Sequence, residues 1–122
     1  MELVVRLRAV GGTPVLDLHG EVDLATIPKL YGALTTLERS IGAGCPTAVV
    51  DIDGVYALDD SGLGVLLGAA GRFREADSNL VVVCSPGALR ARLARTGFDR
   101  AVRVVASVAD ATKAVPAAEA GG

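Results

Sequence analysis

The sequence contains little of what most catalytic and metal sites are built from. It has one histidine, two cysteines and no tryptophan in 122 residues, and aromatic residues make up 3% of the chain. His19 has no acidic residue at a diagnostic spacing, so we expect it to be an ordinary surface residue. No zinc-ligand spacing and no phosphate-binding glycine loop occurs. The sequence therefore predicts no catalytic residue, no metal and no cofactor.

The two cysteines, Cys45 and Cys84, are too few for a disulfide framework. The predicted topology places them at opposite ends of two parallel strands, about 20 Å apart, whereas a disulfide joins Cα atoms less than about 7 Å apart. We expect two buried thiols.

Charge and hydropathy limit the partners and the location. Twelve basic and fourteen acidic side chains give a net charge of −2, and without a basic surplus we expect no nucleic-acid partner. No apolar run approaches the 18 or so residues of a membrane span, and the N-terminus carries charges where a signal peptide is apolar. These features predict a cytoplasmic protein with no membrane partner.

What is present is aliphatic: apolar residues make up 51% of the chain, which suits one domain with a core of Val, Leu, Ala and Ile. Alternating segments at 2–8 and 15–22 flank a GGTP turn and predict an antiparallel hairpin. Later strands at 48–53, 79–84 and 101–105 alternate with helices, which favours parallel pairing. We predict an α/β domain over residues 1–118, with a mixed sheet of about five strands and about four helices, and a flexible tail at 119–122.

Several residues mark where these elements begin and end. Thr26 is predicted to cap the first helix, Ser85 to cap the helix after the fourth strand, and Asp53 to end the central strand. Gly97 should end the second of these helices, with Phe98 folding back onto the core. The last helix is predicted from about residue 108 to residue 118.

The stretch LDDSGLGVLLG at 58–68 places polar residues at the carboxyl ends of the parallel strands, where α/β proteins bind ligands and partners. One of Asp59, Asp60 and Ser61 is expected to cap the following helix. Ser61 lacks the G-x-S-x-G pattern of a nucleophile, and two adjacent aspartates should point their carboxylates apart. A metal-assisted aspartyl-phosphate receiver is therefore only the third hypothesis.

A helical wheel separates the leucines of this helix from its glycines. The predicted core face consists of Leu63, Leu66, Leu67, Ala70 and Phe73, and a different stripe contains Gly64, Gly68 and Gly71 beside Val65 and Glu75. Glycines cost helix stability that a stripe off the core does not recover by internal packing. We interpret the stripe as a docking surface. The alternative is that Gly68 or Gly71 permits close contact with a neighbouring helix of the same chain.

Three segments together resemble the STAS domains of bacterial anti-sigma-factor antagonists over nearly the whole chain. LHGEVDLATIPKL at 18–30 is similar to the family's G-E-[LV]-D and helix, and VVDIDGVYALDDSGLGVLLG at 49–68 to its strand and D-S-[ST]-G-L-G turn. LVVVCSPGALRARLARTGFDRAVRV at 80–104 is similar to the closing strand, helix and L-x-x-x-G-[LF] segment.

The resemblance implies a non-enzymatic regulator that binds an anti-sigma factor, usually a GHKL-type serine kinase, and so frees a sigma factor for transcription. In the family, the kinase phosphorylates the serine after the turn's aspartate, which abolishes binding, and a phosphatase restores it. Here Asp59 matches the aspartate, Asp60 stands in place of the phosphorylated serine, and Ser61 follows. Asp60 either mimics the phosphorylated state or leaves the protein bound permanently, and Ser61 is a candidate displaced phosphoacceptor.

The predicted partner-binding residues all lie in this turn and along the glycine stripe: Asp59, Asp60, Ser61, Gly62, Gly64, Val65 and Gly68. Arg90, Arg92 and Arg95 are expected on a solvated helix face, with an extension of the contact surface as the alternative. The runner-up function is a small-ligand or nucleotide sensor or scaffold module on the same fold.

Overall fold

The computed structural model describes residues 2–41 and 46–113. Within them the chain forms one five-stranded sheet in the order β1-β2-β3-β4-β5. The strands are β1 (Leu3–Val10), β2 (Thr13–Val22), β3 (Thr47–Leu58), β4 (Asn79–Val83) and β5 (Arg103–Val105). The helices are α1 (Ile27–Ser40), α2 (Asp60–Glu75), α3 (Ala88–Thr96) and α4 (Phe98–Ala101), followed by α5 over residues 108–113. The α/β fold with a mixed sheet is confirmed, with α4 as an additional short helix.

The N-terminal hairpin forms as predicted. Strands β1 and β2 pair antiparallel, with Val10 opposite Thr13. Gly11 and Gly12 form the two-residue loop with φ of 57° and 83°, and such a turn needs positive φ at both central positions, which glycine adopts at little cost.

The pairs β3 with β4 and β4 with β5 are parallel, as predicted, and β2 also pairs parallel with β3. The predicted end of the central strand at Asp53 is wrong. Strand β3 continues to Leu58 and pairs with β2 through two register irregularities. On its other side, pairing with β4 ends where Asp51 meets Val83. The last part of β3 therefore extends beyond the rest of the parallel sheet, and residues 54–58 form a strand rather than a loop.

The sheet is covered on both faces at its centre. Ala48, Val49 and Val50 of β3 are fully buried, as the lack of polar alternation predicted. Val50 belongs to the larger core beneath the first four helices, whereas Val49 belongs to a smaller cluster that includes Ala111 of α5. The helices are thus distributed unequally, with four on one face and α5 on the other.

The first helix begins where it was predicted, with Thr26 as its N-cap residue, but the Thr26 side chain does not cap it. α1 starts at Ile27, directly after Thr26. The Thr26 hydroxyl donates to the carbonyl oxygen of Glu21 at 3.0 Å and makes no capping bond to the helix. The side chain instead closes the loop between β2 and α1, where it is buried.

The prediction that Ser85 caps α3 is wrong, because Asp53 competes for it. The Ser85 hydroxyl donates to Oδ2 of Asp53 and its backbone N–H to Oδ1, both at 2.7 Å. Gly87 is the N-cap residue instead, and α3 begins at Ala88. At the other end the predictions hold: Gly97 has φ of 80° in the left-handed region, and Phe98 is buried.

Some predictions fall on residues outside the described ranges. These include the tail at 119–122, the end of the last helix and the state of Cys45. Cys84 is a buried free thiol, and its pKa is raised chiefly by burial.

Candidate functional site

The turn between β3 and α2 is fixed to the end of β2. The backbone N–H of Asp59 donates to the carbonyl oxygen of Val22 at 3.0 Å. Its carboxylate then turns over the start of α2, where Oδ1 accepts the N–H of Gly62 at 3.2 Å and the hydroxyl of Ser61. Asp59 is therefore the N-cap of α2, which confirms that one of the three polar residues caps this helix.

These hydrogen bonds stabilise the charged form of Asp59. The hydroxyl of Ser61 contributes most to lowering the pKa of Asp59, and the backbone N–H groups and the positive charge of Arg92 act in the same direction. Asp59 therefore acts as a structural anion in the turn, and the Ser61 hydroxyl proton is directed at it.

Asp60 occupies the first turn of α2 but points elsewhere. Its side chain is 92% exposed, and Oδ1 accepts a hydrogen bond from Nη2 of Arg92 in α3 at 2.7 Å. Asp59 and Asp60 thus bind different partners, so their carboxylates do not converge as a catalytic acid pair would. The turn has the geometry of a charged, solvent-facing surface.

Gly62 packs inside the protein instead of on that surface. A Cβ at this position would lie 2.4 Å from Cγ1 of Val22 and 2.7 Å from Cδ1 of Leu58. The absence of a side chain lets α2 approach the ends of β2 and β3 closely. Gly62 therefore fixes the position of the turn from beneath.

The other glycines of α2 have open space around them. Apart from the adjacent helix backbone, a Cβ at Gly64 or Gly71 would meet no atom within 4 Å, and at Gly68 it would meet only Nη1 of Arg72 at 3.5 Å. The alternative that Gly68 or Gly71 permits close contact with a neighbouring helix is therefore wrong. Because each glycine costs about 1 kcal/mol relative to alanine in a helix interior, the stripe lowers stability with no return in internal packing.

The core face of α2 is confirmed except at one residue. Leu63, Leu66, Ala70 and Phe73 are buried, but Leu67 is 38% exposed. Leu67 lies beside a shallow cleft of about 130 Å³ between α2 and α4, which also includes Phe98. The sequence period placed Leu67 on the core side, but the short helix α4 does not cover it completely.

Two exposed side chains beside α2, one of them in a loop next to the turn, were not singled out from the sequence. Leu24, in the loop between β2 and α1, is 77% exposed, and Tyr31 on α1 is also exposed. The bond from Asp59 to Val22 places the Leu24 loop next to the β3–α2 turn. A leucine in the polar segment Asp23–Thr26 was the signal that would have identified it.

A salt bridge joins α1 and α2 beside the glycine stripe. Arg72 binds Glu38 with Nε at 3.0 Å and Nη2 at 3.1 Å, and its guanidinium lies 5.6 Å from the centre of the Tyr31 ring. This bidentate pair with a cation–π contact keeps the two helices together along one border of the stripe.

The three arginines of α3 have different roles. Arg90 is half-buried and donates to the carbonyl oxygens of Cys84 at 2.9 Å and Val104 at 3.4 Å. Arg92 binds Asp60, and Arg95 is exposed. The expectation of a solvated face is therefore correct for Arg95 and wrong for Arg90 and Arg92.

The other predicted candidates lie apart from the turn. His19 is exposed on β2 and lies across Gly54, where a Cβ would fall 2.1 Å from its Nδ1. Over residues 2–41 and 46–113, no three His, Cys, Asp or Glu side chains are grouped to hold a metal ion. Over the same residues, no helix has the length and apolar character of a membrane span.

Comparisons with known proteins agree on this architecture. The family model described as "Mlab, STAS domain" matches residues 5–106. An anti-sigma factor antagonist from Mycobacterium paratuberculosis is 24% identical, with 94% of this chain and 95% of that chain covered and a TM-score of 0.77. A putative anti-sigma factor antagonist from Thermotoga maritima is 17% identical, with 92% and 94% covered and a TM-score of 0.78.

The phosphorylated form of SpoIIAA, a Bacillus cell fate determinant, is 20% identical, with 92% of this chain and 99% of that chain covered and a TM-score of 0.59. At these identities the structural likeness establishes the fold. No curated protein matches the chain in sequence.

Proposed function

Because the chain belongs to the STAS domain family, we propose that it acts as an anti-sigma-factor antagonist. In this proposal it is a non-enzymatic, cytoplasmic regulator that binds a GHKL-type serine kinase anti-sigma factor and so releases a sigma factor for transcription. Anti-sigma factor antagonists among the proteins of the same fold support it. The single observation that carries it is the exposed β3–α2 turn followed by a glycine stripe with no internal packing role.

The proposed docking surface consists of Asp59, Asp60, Ser61, Gly64, Val65 and Gly68, to which the structure adds Leu24. Gly62 supports this surface from within. The charged turn and an exposed leucine lie side by side here, next to open helix backbone at Gly64 and Gly68. A partner helix or loop can approach such a strip closely, and Leu24 offers it an apolar anchor.

The docking surface is tested by substituting Gly68 with lysine and measuring affinity for a purified serine kinase anti-sigma factor from the same genome. We expect a large loss of affinity with little change in melting temperature, because Gly68 has open space around it. Gly32→Lys is the matched control, since Gly32 lies on α1 with no atom within 4 Å of a built Cβ. Loss of folding in the Gly68 variant, or equal binding by both variants, would contradict the docking surface.

We further propose that Asp60 replaces the phosphorylated serine of the family's turn. A phosphoserine carries a charge of about −1.5 to −2 and three acceptor oxygens, against −1 and two for aspartate. Asp60 therefore acts either as a partial mimic that weakens binding or as a residue that no kinase can switch. The substitution Asp60→Ser distinguishes the two: higher affinity for the anti-sigma factor indicates a mimic, and unchanged affinity indicates permanent binding.

Ser61 is the proposed displaced phosphoacceptor. Its hydroxyl lies at the start of α2, where helix N–H groups favour an anion, and it already donates to Asp59. Phosphorylation would break that bond and place a second anion against Asp59, and a phosphatase would then be needed to restore the turn. Incubation with the kinase and ATP, followed by mass spectrometry, tests this. Absence of added phosphate, or phosphate elsewhere, would remove Ser61 from this role.

The alternative of a nucleotide or small-anion sensor finds less support in the structure. A cleft of about 330 Å³ beyond the carboxyl end of β4, beside the middle of β3, is lined by Asp53 as well as by Ser85 and Gly87. The negative charge of the Asp53 carboxylate would repel a phosphate group bound in this cleft. A rise in melting temperature with ATP or GTP, in the absence of any protein partner, would favour this alternative.

A further inference from the structure

The ion pair between Asp60 and Arg92 links the proposed docking surface to a helix outside it. Asp60 belongs to the first turn of α2 and Arg92 to the middle of α3, and the bond between Oδ1 and Nη2 measures 2.7 Å. The Asp60 side chain is 92% exposed, whereas that of Arg92 is 28% exposed. The Arg92 guanidinium is thus held more firmly by its surroundings than the Asp60 carboxylate, and the carboxylate is attracted to it.

Arg92 acts on more than one residue of the turn. Its positive charge also contributes to lowering the pKa of Asp59, after the Ser61 hydroxyl and the backbone N–H groups. One guanidinium therefore lies within electrostatic reach of both carboxylates. Because Asp59 is already engaged by the helix N-terminus and by Ser61, the charge that Arg92 mainly offsets is that of Asp60.

We infer that Arg92 is a positioning residue that makes the negative charge at position 60 compatible with partner binding. It holds the Asp60 carboxylate toward α3 and neutralises it. This inference rests on the proposed function and deepens it. A single guanidinium balances the −1 charge of an aspartate but not the −1.5 to −2 or so of a phosphoserine. Of the two outcomes left open for Asp60, the structure thereby favours permanent binding over mimicry of the phosphorylated state.

The size of the effect follows from the exposure of the pair. Ion pairs at the protein surface contribute little to stability, so removing Arg92 should leave the melting temperature nearly unchanged. Its effect on binding should be a weakening of about two- to fivefold, because Asp60 would then face the partner as an uncompensated charge. Salt should reduce the difference, since screening at high ionic strength weakens exposed charges.

The first experiment needs no partner. Backbone amide resonances of ¹⁵N-labelled protein are compared among wild type, Arg92→Gln, Arg92→Lys and the control Arg95→Gln, which alters an exposed arginine one turn along α3. We expect Arg92→Gln to shift the amides of Asp60 and Ser61 as Asp60→Asn does, Arg92→Lys to shift them less, and Arg95→Gln to leave them in place. Unshifted turn amides in Arg92→Gln would overturn the inference.

The second experiment measures affinity for the purified serine kinase anti-sigma factor in a double-mutant cycle. We expect Arg92→Gln to bind more weakly, Arg92→Lys to retain most of the affinity, and the double variant Asp60→Asn with Arg92→Gln to recover it. No recovery would mean that Arg92 contacts the partner directly, which overturns the positioning role. Equal affinity of wild type and Arg92→Gln would overturn this inference but leave the proposed function standing. Failure of the wild type to bind would overturn both.

Discussion

Two turns of this molecule occupy equivalent places in the chain and are built differently. Each joins a parallel strand to a helix: residues 59–61 comprise the residue after β3 and the first two residues of α2, and residues 84–87 lie between β4 and α3. In the first, Asp59 caps its own helix, while Asp60 remains exposed. In the second, Ser85 is held by Asp53 of the neighbouring strand, and the helix starts without a side-chain cap.

The difference between the turns originates in strand length. Strand β4 ends at Val83 beside Asp51, whereas β3 continues to Leu58 with only β2 as a partner. The first turn therefore lies past the end of the pairing between β3 and β4, while the second lies against Asp53. The extended turn is the one suited to meeting another protein, and the second serves to join β3 to β4.

The largest expected effect is on stability and compares Gly62 with Gly64, two positions apart in α2. Gly62 is packed against neighbouring side chains, whereas Gly64 has open space around it. Gly62→Ala should lower the free energy of unfolding by about 1–3 kcal/mol, because its Cβ would overlap Val22 and Leu58. Gly64→Ala should raise it by about 0.5–1 kcal/mol, since its surroundings are open and alanine favours the helix. Urea denaturation of both variants measures this. A destabilised Gly64→Ala variant would show that the stripe has an internal role.

The next prediction compares the two turns directly. Asp59→Ala removes the side-chain cap of α2 and should lower the melting temperature by about 5 °C. Ser85→Ala removes only the hydroxyl bond to Asp53, since the backbone N–H still donates to it, and should lower the melting temperature by less than about 2 °C. Calorimetry at neutral pH provides both values. Equal losses would contradict the distinction between a self-capped turn and one tied to β3.

The Asp59 effect should depend on pH. Because the pKa of Asp59 is lowered in the folded state, its contribution to stability is present above the unfolded value of about 3.9 and disappears as pH falls through the folded value. The difference in melting temperature between wild type and Asp59→Ala should therefore be full at pH 7 and shrink as the pH falls through the lowered pKa of Asp59. A difference that persists in acid would mean that the charge of Asp59 is not what caps the helix.

The smallest expected effect is a gain in stability at Asp51, which lies on the sheet face that carries α5. The pKa of Asp51 is raised, chiefly by burial and further by the charges of Asp53 and Asp17, and Asp17 is its cross-strand neighbour. Folding therefore favours the protonated form, and stability is lost as pH rises through the folded pKa. Asp51→Asn should be slightly more stable than wild type at pH 7 and equal to it below the unfolded pKa of about 3.9. Equal stability at pH 7 would contradict this cost.

Local patterns in the sequence predicted most of the helices and strands. The wrong predictions arise where residues distant in sequence contact each other. The alternation of β1 and β2 and the buried segment Ala48–Val50 depend on neighbours along the chain, so they were found. The extension of β3 depends on irregular pairing with β2, which no local pattern shows, and Gly54 made the segment resemble a loop. Ser85 has the composition of a cap, but Asp53, from another strand, takes its hydroxyl.

The candidate site shows the same division. Asp59 as a cap follows from its position before a helix, and the glycine stripe follows from the helical period. Leu67 has the right period for the core yet is partly uncovered, because α4 is only four residues long. Asp60 and Arg92 lie 32 positions apart in the sequence, so their ion pair could be identified only once the fold was known.

We propose that the extended β3–α2 turn and the glycine stripe of α2 bind an anti-sigma factor. The most direct test is amide chemical-shift mapping of the ¹⁵N-labelled chain during titration with a purified serine kinase anti-sigma factor. We predict that the perturbed amides cluster at Leu24 and at residues 59–68. Binding that instead perturbs residues 84–87, or the sheet face around Asp51, would contradict the account.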